Sequence, residues 1–398
     1  MRIVVVSGFY SEGMGYTENC LPRSLARLGH EVHVVSSDLN VYGNTADYDR
    51  TYRSFLGPAK QPAGTTASDG YMVHRLRSRL VSGYVHLTGL AAKIRELAPD
   101  VVHSTEIASL QTFVLAAAKP FIGFELFTET HQHMSVVKPF LKTSGGPTPQ
   151  RIAYWLTRTA PTFLASLPVQ KCYAISPDCA EVAMRFYGVP AGKIKMQSLG
   201  TDTELFRPPQ APQDLELRAR MRSELGYTDD DVVCVYTGRF SNDKNPLLLA
   251  SAIDTLVGQG RRFHGLFVGD GVQRAQIEAC RNTRIVPFMT HQRLSEFYRM
   301  CDVAIWPTQE SMSMLDAASS GLPLIVSRNM GEQDRIDGNG KVYQENSVAD
   351  LASVLDTFGI QAERQRYGSV GRKKMVDRFS WLAVARSMEA DYMAACAH

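Results

Sequence analysis

Short apolar runs recur along the chain, each closed by a glycine-rich or polar turn and followed by a segment of helical period. Residues 3–7, 31–36, 99–103, 120–128, 172–175 and 193–196 read as strands of the first half. Helical stretches at 17–28, 87–97, 109–118 and 177–187 separate them, with Pro22 expected in the first turn of its helix. Residues 40–85 show no clean period. The second half repeats the scheme, with strands at 231–236, 265–271, 285–288, 303–306 and 324–326 and helices at 215–225, 247–259 and 294–300. A strand that is apolar throughout is buried on both faces, as in parallel sheets covered by helices. The alternation therefore predicts an α/β chain of two Rossmann-like, doubly wound domains. The Pro-rich stretch 208–214 reads as the linker. The domains are then 1–200 and 208–379, with a last helix, 380–398, crossing back onto the first.

Composition narrows the function classes. The 398 residues carry 43 Lys plus Arg against 40 Asp plus Glu, a net charge of +3. That balance is too mild to suggest nucleic acid as a partner. Seven cysteines without metal or disulfide spacing fit a reducing cytoplasm. The start has neither the long apolar core nor the cleavage pattern of a signal peptide, and no apolar run is long enough to span a bilayer. Two stretches leave room for peripheral contact with the inner face of a membrane. Residues 138–167 mix basic residues with Phe, Tyr and Trp, which suits a membrane surface or a helix packed on the domain. His74 to Arg79 alternates basic residues with others, which suits an anionic acceptor, membrane headgroups or a solvated edge strand.

Candidate chemistry gathers at strand exits, where open parallel sheets bind ligands. After the run 303–306, Ser313 and Asp316 form a Ser-x-x-Asp pattern, expected to cap a short helix. The N–H groups of Ser313 and Met314 would then face a phosphate, and Asp316 would reach a ribose hydroxyl. The run 231–236 leaves through Gly238, Arg239 and Lys244, and a planar fork beside a point charge suits a diphosphate. No Gly-Lys-Ser/Thr accompanies them, so this is not a P-loop. The backbone around Phe288 offers an edge to a nucleobase. Gly13 and Gly15 line the first strand exit. With Asp38 they nearly match a dinucleotide fingerprint, but Glu18 stands where the third glycine belongs. A loop for a phosphate or sugar, and a plain tight turn, remain alternatives there. His103 and His131 both fall near strand ends, and His131 is the preferred functional one. No His/Cys cluster with metal-ligand spacing suggests a metal.

Together these residues resemble the retaining glycosyltransferases of family 4, which have the GT-B fold, two such domains facing each other across a cleft. The loop Gly13-Met14-Gly15-Tyr16-Thr17-Glu18-Asn19 resembles that of a subgroup with Gly-Tyr-x-Glu-Asn. Gly238-Arg239 with Lys244 is similar to the family's donor-phosphate pair. Gly200-x-Asp202-x3-Phe206-x-Pro208 resembles its interdomain segment, and Asp316-Ala317-x3-Gly321-Leu322-Pro323 its Glu-Ala-x3-Gly-x-Pro signature. Two positions depart from the pattern. Asp316 replaces a glutamate, and Thr308 stands where a second glutamate is usual, with Glu310 two residues on as a substitute.

The resemblance implies a nucleotide-diphosphate sugar as donor, with UDP or GDP as carrier, no cofactor and no metal. The acceptor would be a glycan, a lipid-linked or a small molecule, in surface polysaccharide or glycoconjugate assembly. Arg239 and Lys244 would steady the leaving diphosphate, and His131 and Glu310 would act beside the donor sugar. The alternatives are a GT-B nucleotide-sugar epimerase, a non-catalytic sugar-nucleotide-binding subunit and a nicotinamide-dependent oxidoreductase.

Overall fold

The computed structural model describes residues 1–397 apart from 82, 135–136, 138–147, 309 and 331–332. The chain divides into two compact units, Met1–Leu199 with Val384–His398, and Gly200–Ala383.

The first unit contains β1 (Arg2–Val6), β2 (Glu31–Ser37), β3 (Gly64–Ser68), β4 (Tyr71–Leu76), β5 (Ser78–Val81), β6 (Tyr84–Leu87), β7 (Val101–Ser104), β8 (Glu125–Thr130), β9 (Val169–Ala174) and β10 (Ile194–Met196). Eight of them form one sheet in the order β10-β9-β8-β7-β1-β2-β4-β3, and β5 pairs with β6 as a separate hairpin. All neighbours in the sheet are parallel except β3 and β4. Ile3 to Val6 are fully buried, as expected of a strand covered on both faces. The strand order reverses between β1 and β7, the switch point at which such sheets bind ligands.

Several expectations for this unit are corrected. Pro22 stands inside the helix Thr17–Arg27, not in its first turn, and its ring is buried. The missing N–H there leaves one helical bond unmade, and burial of the apolar face offsets it. Pro120 likewise lies within the helix Leu110–Ile122, so the next strand starts only at Glu125. Leu87 belongs to β6, and the following helix begins at Leu90. The stretch 40–85 holds four strands, β3 being almost wholly exposed, which hides it from a search for apolar runs. The basic run from His74 divides in two. Its first part lies in β4, which β3 covers, and Arg75 is buried with Nη1 donating to the Tyr10 carbonyl at 3.1 Å. Arg77 is exposed, and Arg79 lies in β5, a largely exposed strand of the two-stranded hairpin.

The second unit contains β11 (Val232–Thr237), β12 (Phe263–Val268), β13 (Thr283–Val286), β14 (Val303–Trp306), β15 (Leu324–Ser327) and β16 (Gly340–Tyr343). They form an all-parallel sheet in the order β13-β12-β11-β14-β15-β16, with the switch point between β11 and β14. The expected linker, 208–214, packs inside this unit. The helix Pro212–Glu224 starts within it, and the Asp214 carboxylate accepts the Gln210 and Ala211 N–H groups and two bonds from Arg207.

The helix Gln361–Arg378 approaches Gly321 so closely that a Cβ on Gly368 would lie 2.0 Å from the Gly321 carbonyl oxygen. Gly368→Ala is expected to cost about 1–3 kcal/mol of stability through overpacking. Urea unfolding followed by circular dichroism tests this, and a midpoint equal to that of the wild type would contradict the close approach.

Candidate functional site

In the second unit, two exit loops meet at the switch point. The loop after β11 carries Gly238, Arg239 and Lys244; the loop after β14 carries Thr308, Glu310 and Ser311. The two are tied together at two points, the Trp306 indole donating to the Thr237 carbonyl at 3.2 Å and the Thr308 hydroxyl to the Asp243 carbonyl at 2.5 Å. The Tyr343 hydroxyl, at the end of β16, holds the second loop from its other side by donating to the Pro307 carbonyl at 2.6 Å. Gly238 has φ +146°, and its neighbour strand's Gly269 lies so near that a Cβ there would stand 2.0 Å from the Gly238 oxygen. Only glycine at these two positions lets the exits of β11 and β12 lie against each other.

The Tyr236 hydroxyl holds the Arg239 carbonyl at 2.9 Å. Buried Gln273 staples the far end of the loop, donating to the side chains of Asn242 and Asn245 at 3.3 Å each and accepting the Leu247 N–H at 3.2 Å. Burial pushes the Lys244 ammonium below its usual range, Arg239 pushes it the same way, and only Asp243 opposes. Two like charges are thus held on one loop, one of them partly desolvated, an arrangement that an anion would relieve.

The helix after β14, Ser313–Ser319, differs from expectation. Ser313 is its first helical residue, the N-cap is Met312, and no side chain caps it. The Ser311 hydroxyl and carbonyl accept the Ser313 and Met314 N–H groups at 3.4 and 3.0 Å. The N–H groups expected to face a phosphate are therefore engaged in this turn. Asp316 does not close a capping box. It is buried, and its carboxylate accepts from the Thr201 hydroxyl at 2.7 Å and meets His291 Nε2 at 3.2 Å. The segment that begins at Gly200 lies along this helix. Ser319 Oγ donates to the Phe206 carbonyl at 2.6 Å, Arg372 bonds the carbonyls of Thr203, Phe206 and Ser319, and Gly321 lies against Pro208. Two motifs that stand over 100 residues apart are one packing unit. Glu310 forms an ion pair with Arg335 at 3.2 Å. Phe288 is half-buried in the loop after β13, an edge strand.

In the first unit, Gly13 is exposed with φ +72°, while Gly15 has no such conformation. Asn19 anchors this loop by donating to the Ser11 carbonyl at 2.9 Å. His103 is the penultimate residue of β7, near the strand end as expected, but it is fully buried. His131 lies just past β8, and 31% of its side chain is exposed. Glu129 joins them, with Oε1 3.0 Å from His103 Nε2 and Oε2 2.6 Å from His131 Nε2. Burial would raise the Glu129 pKa, but the two histidines hold it down at about 2. Burial would lower that of His131, but Glu129, Glu106 and Glu18 outweigh it and raise it. Burial pushes Glu18 up from 4.5 to about 7. Among the described residues, no three His, Cys, Asp or Glu side chains are grouped to hold a metal ion, and no helix is long and apolar enough to cross a membrane.

Two family models match the chain, Glycosyltransferase Family 4 over residues 20–205 and Glycosyl transferases group 1 over residues 231–358. The chain belongs to glycosyltransferase family 4. Its fold is GT-B. A glycosyltransferase from Rickettsia africae superposes with a TM-score of 0.70 at 16% identity, covering 99% of this chain and 98% of that one. Anabaena HepE in complex with UDP superposes at 0.66 and 16% identity, covering 99% and 100%. By sequence, the chain is similar to the sulfoquinovosyl transferase SQD2 of Arabidopsis thaliana, 24% identical over 77% of this chain and 59% of that one. It is also similar to a D-inositol 3-phosphate glycosyltransferase of Xylanimonas cellulosilytica, 26% identical over 52% of this chain and 53% of that one. The chain thus spans between half and three fifths of the length of these two relatives.

For this family 4 member, sequence reading placed Arg239 and Lys244 on one loop but missed Gln273, which holds it, and Glu129, which joins the histidines. Glu129 is legible as a carboxylate near the end of a strand and two residues before His131, the spacing at which side chains share a face while the backbone stays extended. Gln273 has no such signal.

A pH-dependent stability follows from Glu18. The folded chain keeps a proton that the unfolded chain has lost, so folding is penalised progressively as pH rises from 4.5 to 7, and fully above. Glu18→Gln removes that penalty. Its melting temperature is expected to exceed that of the wild type at pH 8 and to equal it at pH 4, measured by scanning calorimetry.

Proposed function

We propose that the chain is a retaining glycosyltransferase that moves a sugar from a nucleotide-diphosphate sugar to an acceptor hydroxyl. The observation that carries this is the loop after β11, with Arg239 exposed and Lys244 partly desolvated, neither in an ion pair among the described residues. Two cations fixed in that way stabilise the negative charge that grows on a departing diphosphate, at no cost of reorganisation. The acceptor oxygen attacks the anomeric carbon from the leaving-group face, the bond to the diphosphate breaks, and the acceptor proton passes to the departing phosphate oxygen. Configuration is retained, no protein nucleophile is required, and no metal is assigned a step. Gly238 lets the loop approach the phosphates, and His131 contacts the donor sugar or orients the acceptor. Asp316 holds the helix and Thr201 together, and Glu310 braces the exit loop through Arg335.

HepE is described in complex with UDP and with UDP-glucose, which supports a nucleotide sugar as donor here. The D-inositol 3-phosphate glycosyltransferase supports a small polar acceptor over a nucleic acid. For a lipid-linked acceptor, exposed Ile152, Trp155, Leu156 and Leu164 beside Arg151 suit a membrane surface. The expected membrane stretch began at residue 138, and its portion 138–147 lies outside the described residues.

Arg239→Ala and Lys244→Ala should each lower kcat by about 10²–10³-fold in an assay of nucleotide release with acceptor, with folding intact. Full activity in both would remove the phosphate site. Turnover that survives a chelator supports the metal-free scheme; loss restored by Mg²⁺ rejects it. Conversion of the donor without any acceptor would favour the epimerase reading. A double Trp155→Glu, Leu156→Glu variant should lose sedimentation with anionic vesicles, and no sedimentation by the wild type would exclude the membrane contact.

A further inference from the structure

Four side chains of the first unit form one hydrogen-bonded series from the terminal helix to the switch point. The Tyr392 hydroxyl lies 2.7 Å from His103 Nδ1, His103 Nε2 lies 3.0 Å from Glu129 Oε1, and Glu129 Oε2 lies 2.6 Å from His131 Nε2. Tyr392 and His103 are fully buried and Glu129 is 1% exposed, so only His131 reaches solvent. A buried carboxylate that accepts from two imidazoles needs one of them positive to balance it. The geometry decides which. Tyr392 has two acceptors in reach, His103 Nδ1 at 2.7 Å and the Met388 sulfur at 3.8 Å. Sulfur is a weak acceptor, so the hydroxyl donates to Nδ1. His103 is then the neutral tautomer with its proton on Nε2, and the charge falls on His131. Two further carboxylates face His131, Glu106 from the loop after β7, which accepts its backbone N–H, and Glu18 from the helix Thr17–Arg27. His103 stacks on Tyr173 of β9, whose hydroxyl donates to Asp391 at 2.9 Å, and Asp391 also pairs with Lys195 at 2.7 Å. The terminal helix is thereby fixed at two consecutive residues.

We infer that Tyr392, His103 and Glu129 are positioning residues that hold His131 as an imidazolium, with Nδ1–H as the group offered to a ligand. Resting on the proposed part of His131 in sugar transfer, this makes it a cationic hydrogen-bond donor and excludes it as a general base. His131 Nδ1 makes no hydrogen bond among the described residues, so its proton is not spent within the unit. The Glu129 carboxylate keeps Nε2 from turning outward, and the Tyr392 hydroxyl keeps Glu129 from sharing its charge with His103.

The test is nitrogen NMR of the full chain labelled with ¹⁵N-histidine, which reads tautomer and charge of each ring without substrate. At pH 7 the His131 ring is expected to be doubly protonated and to titrate above 6.5, while His103 shows the Nε2–H tautomer. Glu129→Gln should leave His131 neutral at pH 7. Tyr392→Phe removes one oxygen while keeping the ring against Phe127, and should populate the other His103 tautomer. A neutral His131 in the wild type, or unchanged rings in both variants, overturns the inference. In the transfer assay, Glu129→Gln should lower kcat by about 10²-fold with little change in KM. Altered rings with unchanged kcat would leave the chain of bonds standing and remove His131 from the reaction.

Discussion

Every strand of a parallel sheet ends at the same edge, and the loops that leave it must share that edge. In the second unit this constraint brings the exits of β11 and β14 side by side, and two hydrogen bonds to backbone carbonyls fix their spacing. Arg239 and Lys244 would repel each other on a free loop. They stay together because the loop is held by Tyr236 and Gln273 and by the close approach of Gly269 to Gly238. The energy that opposes two neighbouring cations is met by packing elsewhere, which is how a fold keeps a site ready for an anion.

The large elements were legible in the sequence for a physical reason. Strands such as β1, β11 and β14 are buried on both faces, so their residues are apolar without interruption. Their exits follow directly, which is why the positions of Arg239, Lys244 and His131 after a strand end are legible. What was not legible depends on partners distant in the chain. Asp316 was read as a helix cap from a local pattern, yet its carboxylate is taken by Thr201, 115 residues away, and the turn is closed by Ser311. His103 stands near a strand end as the sequence implies, yet it is buried and its Nδ1 faces Tyr392, 289 residues away. The hairpin region failed for the opposite reason, since β3 buries almost nothing and has no apolar signature.

The two family motifs of the second unit are also seen differently once folded. Thr201, Phe206 and Pro208 of one lie on Asp316, Ser319 and Gly321 of the other, and Arg372 closes the contact with bonds to three carbonyls. A shorter acid at 316 suits this contact, because Thr201 and His291 reach the carboxylate directly. Substitution at that position therefore bears first on how the segment from Gly200 is seated.

The first unit is assembled from both ends of the polypeptide, because the residues from Val384 onward belong to it. A ribosome makes the whole of Gly200–Ala383 before it makes Tyr392 and Asp391. Until then His103, Tyr173 and Lys195 have no partner from that helix. Completion of the earlier-synthesised half consequently waits on the half made after it, and a chain arrested before Asp391 would carry all of the second unit while the first still lacked the partners of His103, Tyr173 and Lys195.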